Sequence, residues 1–205
     1  MFTLTPDQLE GSVLDCPSGS SSFAAELRGI CDVTSVDPIY SGDLHEVSDI
    51  SLAELERGMA YFRANPHLID KSYIGSLDLY EGSLRRARER FLLDFRENPS
   101  RYICGSLPHL PLEDESFDLV LSSHLLFVYP DHFDYAGHLS AVKEMMRVTR
   151  GELRIHPFVS TAGEPWPLLG RLRSELESQG HYTEVAASEY QFVRGGGSTL
   201  IVKRA

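Results

Sequence analysis

Residues 122–135, SSHLLFVYPDHFDY, hold two histidines, two tyrosines and two aspartates in one short stretch. An unperturbed imidazole titrates near neutrality, so His124 or His132 can take a proton from a nucleophile. Phe127, Tyr129 and Phe133 offer π faces that stabilise a cation. His124, Tyr129 and His132 are therefore the candidate catalytic residues, with Asp131 and Tyr135 in the same loop. Core packing explains Phe127 equally well, and simple exposure explains one of the two histidines. His156, just before Pro157, has a possible place near the same site, whereas His138 on a predicted helix suits a structural role.

A second stretch raises a different chemistry. Residues 13–27, VLDCPSGSSSFAAEL, run from an apolar strand through a small-residue loop into a helix. The loop has one glycine, Gly19, where a phosphate-cradling loop needs several. Gly19 permits close backbone approach. Ser20, Ser21 and Ser22 add hydroxyls that donate and accept, and a helix N-terminus there suits an anion. The mixture fits a ligand carrying a carboxylate and an ammonium better than a pyrophosphate. Asp37 closes the second strand, where a carboxylate accepts both hydroxyls of a ribose.

These residues need a frame. Residues 12–16, 21–29 and 31–38 read as strand, helix and strand, a βαβ unit with Gly29 as the helix stop. Residues 43–98 carry no strong strand signal. Two long helices are expected there, over 48–65 and 81–98, with Leu52, Leu55, Met59 and Phe62 at helical spacing and Pro66 as a breaker. This exceeds an ordinary crossover, so it reads as one crossover helix plus an inserted helical lid over about 43–98. Tyr61, Tyr73 and Tyr80 can close over a ligand or pack against the sheet. Further strands are expected at 101–105, 117–123 and 151–159, and helices at 136–148 and 165–180. Two last strands flank a turn at Gly195–Gly197. The expectation is a single Rossmann-like α/β domain over 1–205: a mostly parallel sheet with a C-terminal antiparallel hairpin and a helical lid.

Composition narrows the partners. Thirty acidic residues against nineteen lysines and arginines give a net charge of −11, which disfavours nucleic acid, whose affinity comes from neutralised phosphates. The arginines of 84–101 alternate with Glu89, Asp94 and Glu97, as on an ion-paired helix face. No apolar run is long enough to span a membrane, and no leader pattern opens the chain. The three cysteines have no metal-site spacing and suit reduced thiols. A cytoplasmic protein without a metal, a nucleic-acid partner or a membrane anchor is expected.

The segments VLDCPSGSSSFAAEL and VTSVDPIY, then LPLEDESFDLVLSSHLL, EMMRV and ELRIHPF, resemble the class I S-adenosylmethionine-dependent methyltransferases over about residues 11–159. SSHLLFVYPDHFDYAGHL and FVRGGG are similar to a bacterial subgroup of that family. The resemblance implies S-adenosyl-L-methionine as cofactor. It places Asp15, Ser18 and Gly19 at the methionine part, Asp37 at the ribose, Pro38 and Ile39 beside the adenine, Ser106 and Leu107 at the adenine ring, and Ser123 with His124 facing the sulfonium. Two positions depart from the family pattern. Pro17 and Ser21 stand at the outer glycine positions of its first loop, and Ser106 replaces an acidic residue. The expected activity is methyl transfer to a small molecule. The chain also resembles enzymes that cyclise S-adenosylmethionine to azetidine-2-carboxylate and methylthioadenosine, which is the alternative activity. A non-enzymatic binding module is a third.

Overall fold

The computed structural model describes residues 1–129 and 132–204; Asp131 lies outside them. Seven strands form one sheet in the order β3-β2-β1-β4-β5-β7-β6. They are β1 (Ser12–Asp15), β2 (Asp32–Val36), β3 (Tyr102–Ile103), β4 (Phe117–Ser123), β5 (Thr149–His156), β6 (Tyr182–Ala187) and β7 (Ser198–Lys203). β1 to β5 are parallel, and β7 runs antiparallel to both β5 and β6. The central strands read as near-continuous apolar runs because both faces are covered. On one side Leu14, Val120 and Leu153 pack with Met145, Leu172 and Leu200; on the other, Val13, Val33 and Leu119 pack with Phe91 and Tyr102.

The helices are α1 (Phe23–Glu26), α2 (Leu44–Ala64), α3 (Lys71–Ile74), α4 (Leu77–Glu97), α5 (Tyr135–Val148) and α6 (Leu169–Ser178). α1 is shorter than the sequence suggests. Ser21 Oγ accepts from Phe23 N at 3.1 Å and Ser22 Oγ donates to Glu26 Oε1 at 3.0 Å, so the serines satisfy local backbone and side-chain groups around a single turn. Such a turn has little dipole for an anion. α2 begins earlier than the expected residue 48, because Asp43 caps it: Asp43 Oδ1 accepts from His45 N and Glu46 N, and Glu46 Oε2 accepts from Asp43 N in return.

α4 is the crossover helix, with Phe91 fully buried against Tyr40, Phe95 and Tyr102. α2 is fastened to it by Arg88, whose guanidinium donates to Ser51 Oγ (2.9 Å), Ser48 O (2.6 Å) and Ser48 Oγ (2.7 Å). Other arginines of this stretch pair differently from the interleaved pattern: Arg85 with Glu81 at 2.6 Å, and Arg90 with Glu26 of α1 at 2.6 Å. The C-terminal hairpin differs from expectation. Its arms are β6 and β7, and residues 188–197 form a long non-strand connection rather than a tight glycine turn. Among the described residues no helix is long and apolar enough to cross a membrane.

Candidate active site

The carboxyl ends of β1, β2 and β4 meet at one edge of the sheet, the usual ligand position in such folds. After β1 the chain turns through Gly19 at φ 54°, a conformation that favours glycine. Three contacts hold this loop. Ser18 N donates to Val36 O at 3.0 Å, Ser18 Oγ donates to Asp15 Oδ2 at 2.8 Å, and Tyr40 Oη donates to Gly19 O at 2.6 Å. Asp37 faces the loop. Its Oδ2 accepts from Gly19 N at 2.9 Å and its Oδ1 from Ile39 N at 3.1 Å. Burial raises the Asp37 carboxyl above the ordinary range, against these two N–H donors.

A cavity of about 610 Å³ opens between this loop and the helices above it, within the range of small-molecule sites. The sheet side supplies Ser18, Gly19, Asp37, Ser123, His124 and His156. α2 and α4 supply Leu55, Met59, Phe62 and Tyr80, with Tyr61 beside them. The 188–197 connection adds Tyr190 and Phe192. His124 follows β4 at φ 56°, a left-handed conformation rare for a non-glycine residue. Its side chain is exposed to the cavity, and desolvation by the protein that encloses the cavity lowers its pKa to about 4. Burial, aided by His124, lowers His156 to about 3. Both rings are therefore neutral at pH 7. The two histidines and Tyr190 stand edge-to-face, with centroids 5.6–6.2 Å apart.

The structure thus brings Ser18, Gly19, Asp37, Ser123, His124 and Tyr129 to one cavity. Asp15 lies on an adjoining depression with Phe2, Ser21 and again Ser123. It is 4% exposed, and burial raises its pKa to about 7 despite its hydrogen bond from Ser18. The first residues of the chain cover that depression. The buried Arg154 guanidinium donates to Phe2 O and Thr3 O, at 2.5 and 3.0 Å, and pairs with Glu152 at 2.6 Å. Pro38 and Ile39 lie outside the cavity wall beside the segment after β3, where Cys104 Sγ is 3.8 Å from Pro38 O. Ser106 and Leu107 follow in that segment, with Ser106 bridged to His109. His132 is exposed, its ring 5.4 Å from that of Tyr129. His138 is instead buried in the core, with its ring nitrogens 2.9 and 2.7 Å from Asp134 O and Leu126 O.

Four cavity residues carry no clear signal in the sequence: Glu54 and Arg57 of α2, and Tyr190 and Phe192. The first two flank the apolar stripe of α2 and look like solvent-facing positions. The pair 190 and 192 alternates as a strand would, but belongs to the connection. Among the described residues, no group of three or more histidine, cysteine or acidic side chains is placed to hold a metal ion.

Comparison with known proteins bears on this geometry. A family model described as "Methyltransferase domain" matches residues 58–152. A protein of Methanocaldococcus jannaschii, described as uncharacterized, is 29% identical over 212 residues, covering 100% of this chain and 90% of its own length. Magnesium protoporphyrin IX methyltransferase from Synechocystis, solved with bound SAH, shares the fold at TM-score 0.52 and 10% identity, over 97% of this chain and 76% of that one. A complex of the Haloferax volcanii Trm112 methyltransferase activator and a putative methyltransferase gives TM-score 0.50 at 13% identity, over 95% and 82%. With its parallel strands closed by the antiparallel β7, the chain shares the fold of these methyltransferases, and its middle, residues 58–152, matches the methyltransferase domain model.

Proposed function

We propose that the protein methylates a small molecule held in the cavity beneath α2 and α4, with S-adenosyl-L-methionine bound along the carboxyl ends of β1, β2 and β4. The donor set fits that cofactor. Each Asp37 oxygen accepts one backbone N–H and keeps a lone pair, so the carboxylate can receive the two hydroxyls of a ribose. Gly19 leaves the approach to Asp37 open: a Cβ there would come 4.0 Å from Asp37 Oδ2. Ser18, Gly19 and Asp15 would hold the methionine part, with Asp15 offering negative charge to an ammonium. Pro38 and Ile39 would lie against one side of the adenine, and Ser106 and Leu107 against the other.

When bound, the cofactor supplies a methyl group on a positively charged sulfur. The residues around that position are suited to it by what they lack. His124 and His156 are neutral, so neither sets a positive charge beside a sulfonium. Tyr129 brings a π face that favours a cation. Ser123 and His124 end β4 at the place where the two ligands would meet, and Tyr129 and His132 lie at the rim. Enclosure by α2 excludes water and orients the acceptor, and it favours a small molecule over a polymer. The matched methyltransferase model lends no support to the cyclisation alternative.

The observation that carries this reading is the single cavity joining Gly19 and Asp37 to His124 under α2. Calorimetry with S-adenosylmethionine and S-adenosylhomocysteine should show saturable binding of both. Mass spectrometry of the protein with S-adenosylmethionine and an acceptor panel should then show S-adenosylhomocysteine formed only with an acceptor. A folded protein that binds neither ligand would refute the assignment, and methylthioadenosine formed without an acceptor would replace methyl transfer with cyclisation.

A further inference from the structure

The end of the cavity away from Asp37 has a composition of its own. Phe62 meets Phe192 edge-on at 4.7 Å, Tyr80 stacks on Phe192 at 4.2 Å, and the Tyr80 and Tyr190 hydroxyls lie 3.4 Å apart. These contacts tie α2, α4 and the 188–197 connection into a rigid aromatic wall. The charged residues lining the cavity are elsewhere: Asp37 at the first loop, and Glu54 with Arg57, neighbours on α2 at 3.9 Å. A charged ligand at the aromatic end would be desolvated without a partner, which is costly. A flat ring would instead gain offset or edge-to-face contacts.

One polar atom faces this end in a defined state. His156 is 1% exposed and lines the cavity. Its Nδ1 is 3.0 Å from Thr199 Oγ1, and that hydroxyl is itself 3.3 Å from Met1 O. The Thr199 hydroxyl can donate to Met1 O, which only accepts, while receiving Nδ1–H from the histidine. In that arrangement the proton sits on Nδ1, and Nε2 carries the lone pair left for a ligand. Burial opposes a second proton.

Given the methyltransferase reading above, on which this rests, we propose that the acceptor is an uncharged, flat aromatic molecule bearing a hydroxyl, which lies against Phe62, Tyr80, Tyr190 and Phe192 and donates its hydroxyl hydrogen to His156 Nε2. His156 is then a further catalytic residue: as the hydroxyl oxygen bonds the methyl carbon and the sulfur–methyl bond breaks to leave S-adenosylhomocysteine, the hydroxyl proton passes to Nε2, because a methylated oxonium is far more acidic than an imidazolium. Thr199 is a positioning residue that acts through it.

The test uses the whole protein saturated with S-adenosylhomocysteine and three probes. These are 2-naphthol, 2-methoxynaphthalene, which has the same rings without the O–H, and the cationic tyramine. Calorimetry should show 2-naphthol binding at least tenfold tighter than 2-methoxynaphthalene, with tyramine weakest. In Thr199→Val the imidazole loses the acceptor that fixes its tautomer. The preference for 2-naphthol should fall severalfold while the affinity for 2-methoxynaphthalene stays unchanged; a general loss of packing would lower both. The probe comparison needs no variant, so it decides the matter even if Thr199→Val does not fold. Equal affinities for the two naphthalenes, or tyramine binding tightest, with S-adenosylhomocysteine bound, would overturn this proposal and leave the methyltransferase reading intact. Failure of S-adenosylhomocysteine to bind would overturn both.

Discussion

Asp15 makes the ligand-free protein sensitive to pH in a direction opposite to that of most carboxylates. Its pKa is about 7 in the folded state, because burial outweighs the hydrogen bond from Ser18, against an ordinary value of 3.8. Below pH 3.8 the group is neutral in both states and costs nothing. Between the two values the folded chain holds a proton that the unfolded chain has lost, so stability falls as pH rises, and the loss is complete above about pH 7. At about 1.4 kcal/mol per decade, the whole gap corresponds to roughly 4 kcal/mol, of which about 2–3 kcal/mol falls between pH 5 and pH 8. Asp15→Asn removes the titration and keeps an oxygen to accept from Ser18 Oγ. Whatever its amide costs in packing is the same at both pH values and cancels from the difference. Urea unfolding of both proteins at pH 5 and pH 8 should therefore show the variant gaining about 2–3 kcal/mol relative to wild type between the two. A constant offset would show that Asp15 ionises normally in the folded state, and the argument from its burial would fail.

Three other perturbations test separate links. Asp37→Ala should weaken S-adenosylhomocysteine binding at least tenfold by calorimetry with an unchanged circular dichroism spectrum; unchanged affinity would remove the ribose assignment. Tyr40→Phe deletes the 2.6 Å hydrogen bond to Gly19 O while leaving the ring on Phe91 and Tyr102, so it should cost about 1 kcal/mol of stability and raise the dissociation constant for S-adenosylhomocysteine severalfold. Phe91→Ala empties the fully buried position that joins α4 to the sheet and should cost about 3–5 kcal/mol in urea unfolding; a loss under 1 kcal/mol would mean that α4 is not anchored there.

What the sequence discloses and what it conceals divide on physical lines. Val13–Leu14 and 117–123 are legible as strands because burial on both faces demands unbroken apolar runs. Gly19 and Asp37 are legible because each follows directly from a strand end, a local relation. α1 is overestimated because apolar spacing does not reveal that Ser21 and Ser22 engage local groups instead of leaving a free helix N-terminus. His156 can be placed at the end of β5, but the partner of its Nδ1, Thr199 of β7, is one that only sheet pairing supplies. α2 shows the limit most directly. Leu55, Met59 and Phe62 stand at core spacing, yet Met59 alone of the three is buried, and all three line the cavity with Glu54 and Arg57 beside them. Periodicity tells which face of a helix avoids water. It does not tell whether that face meets another side chain or a space shaped for a ligand, because both remove the same apolar surface from water.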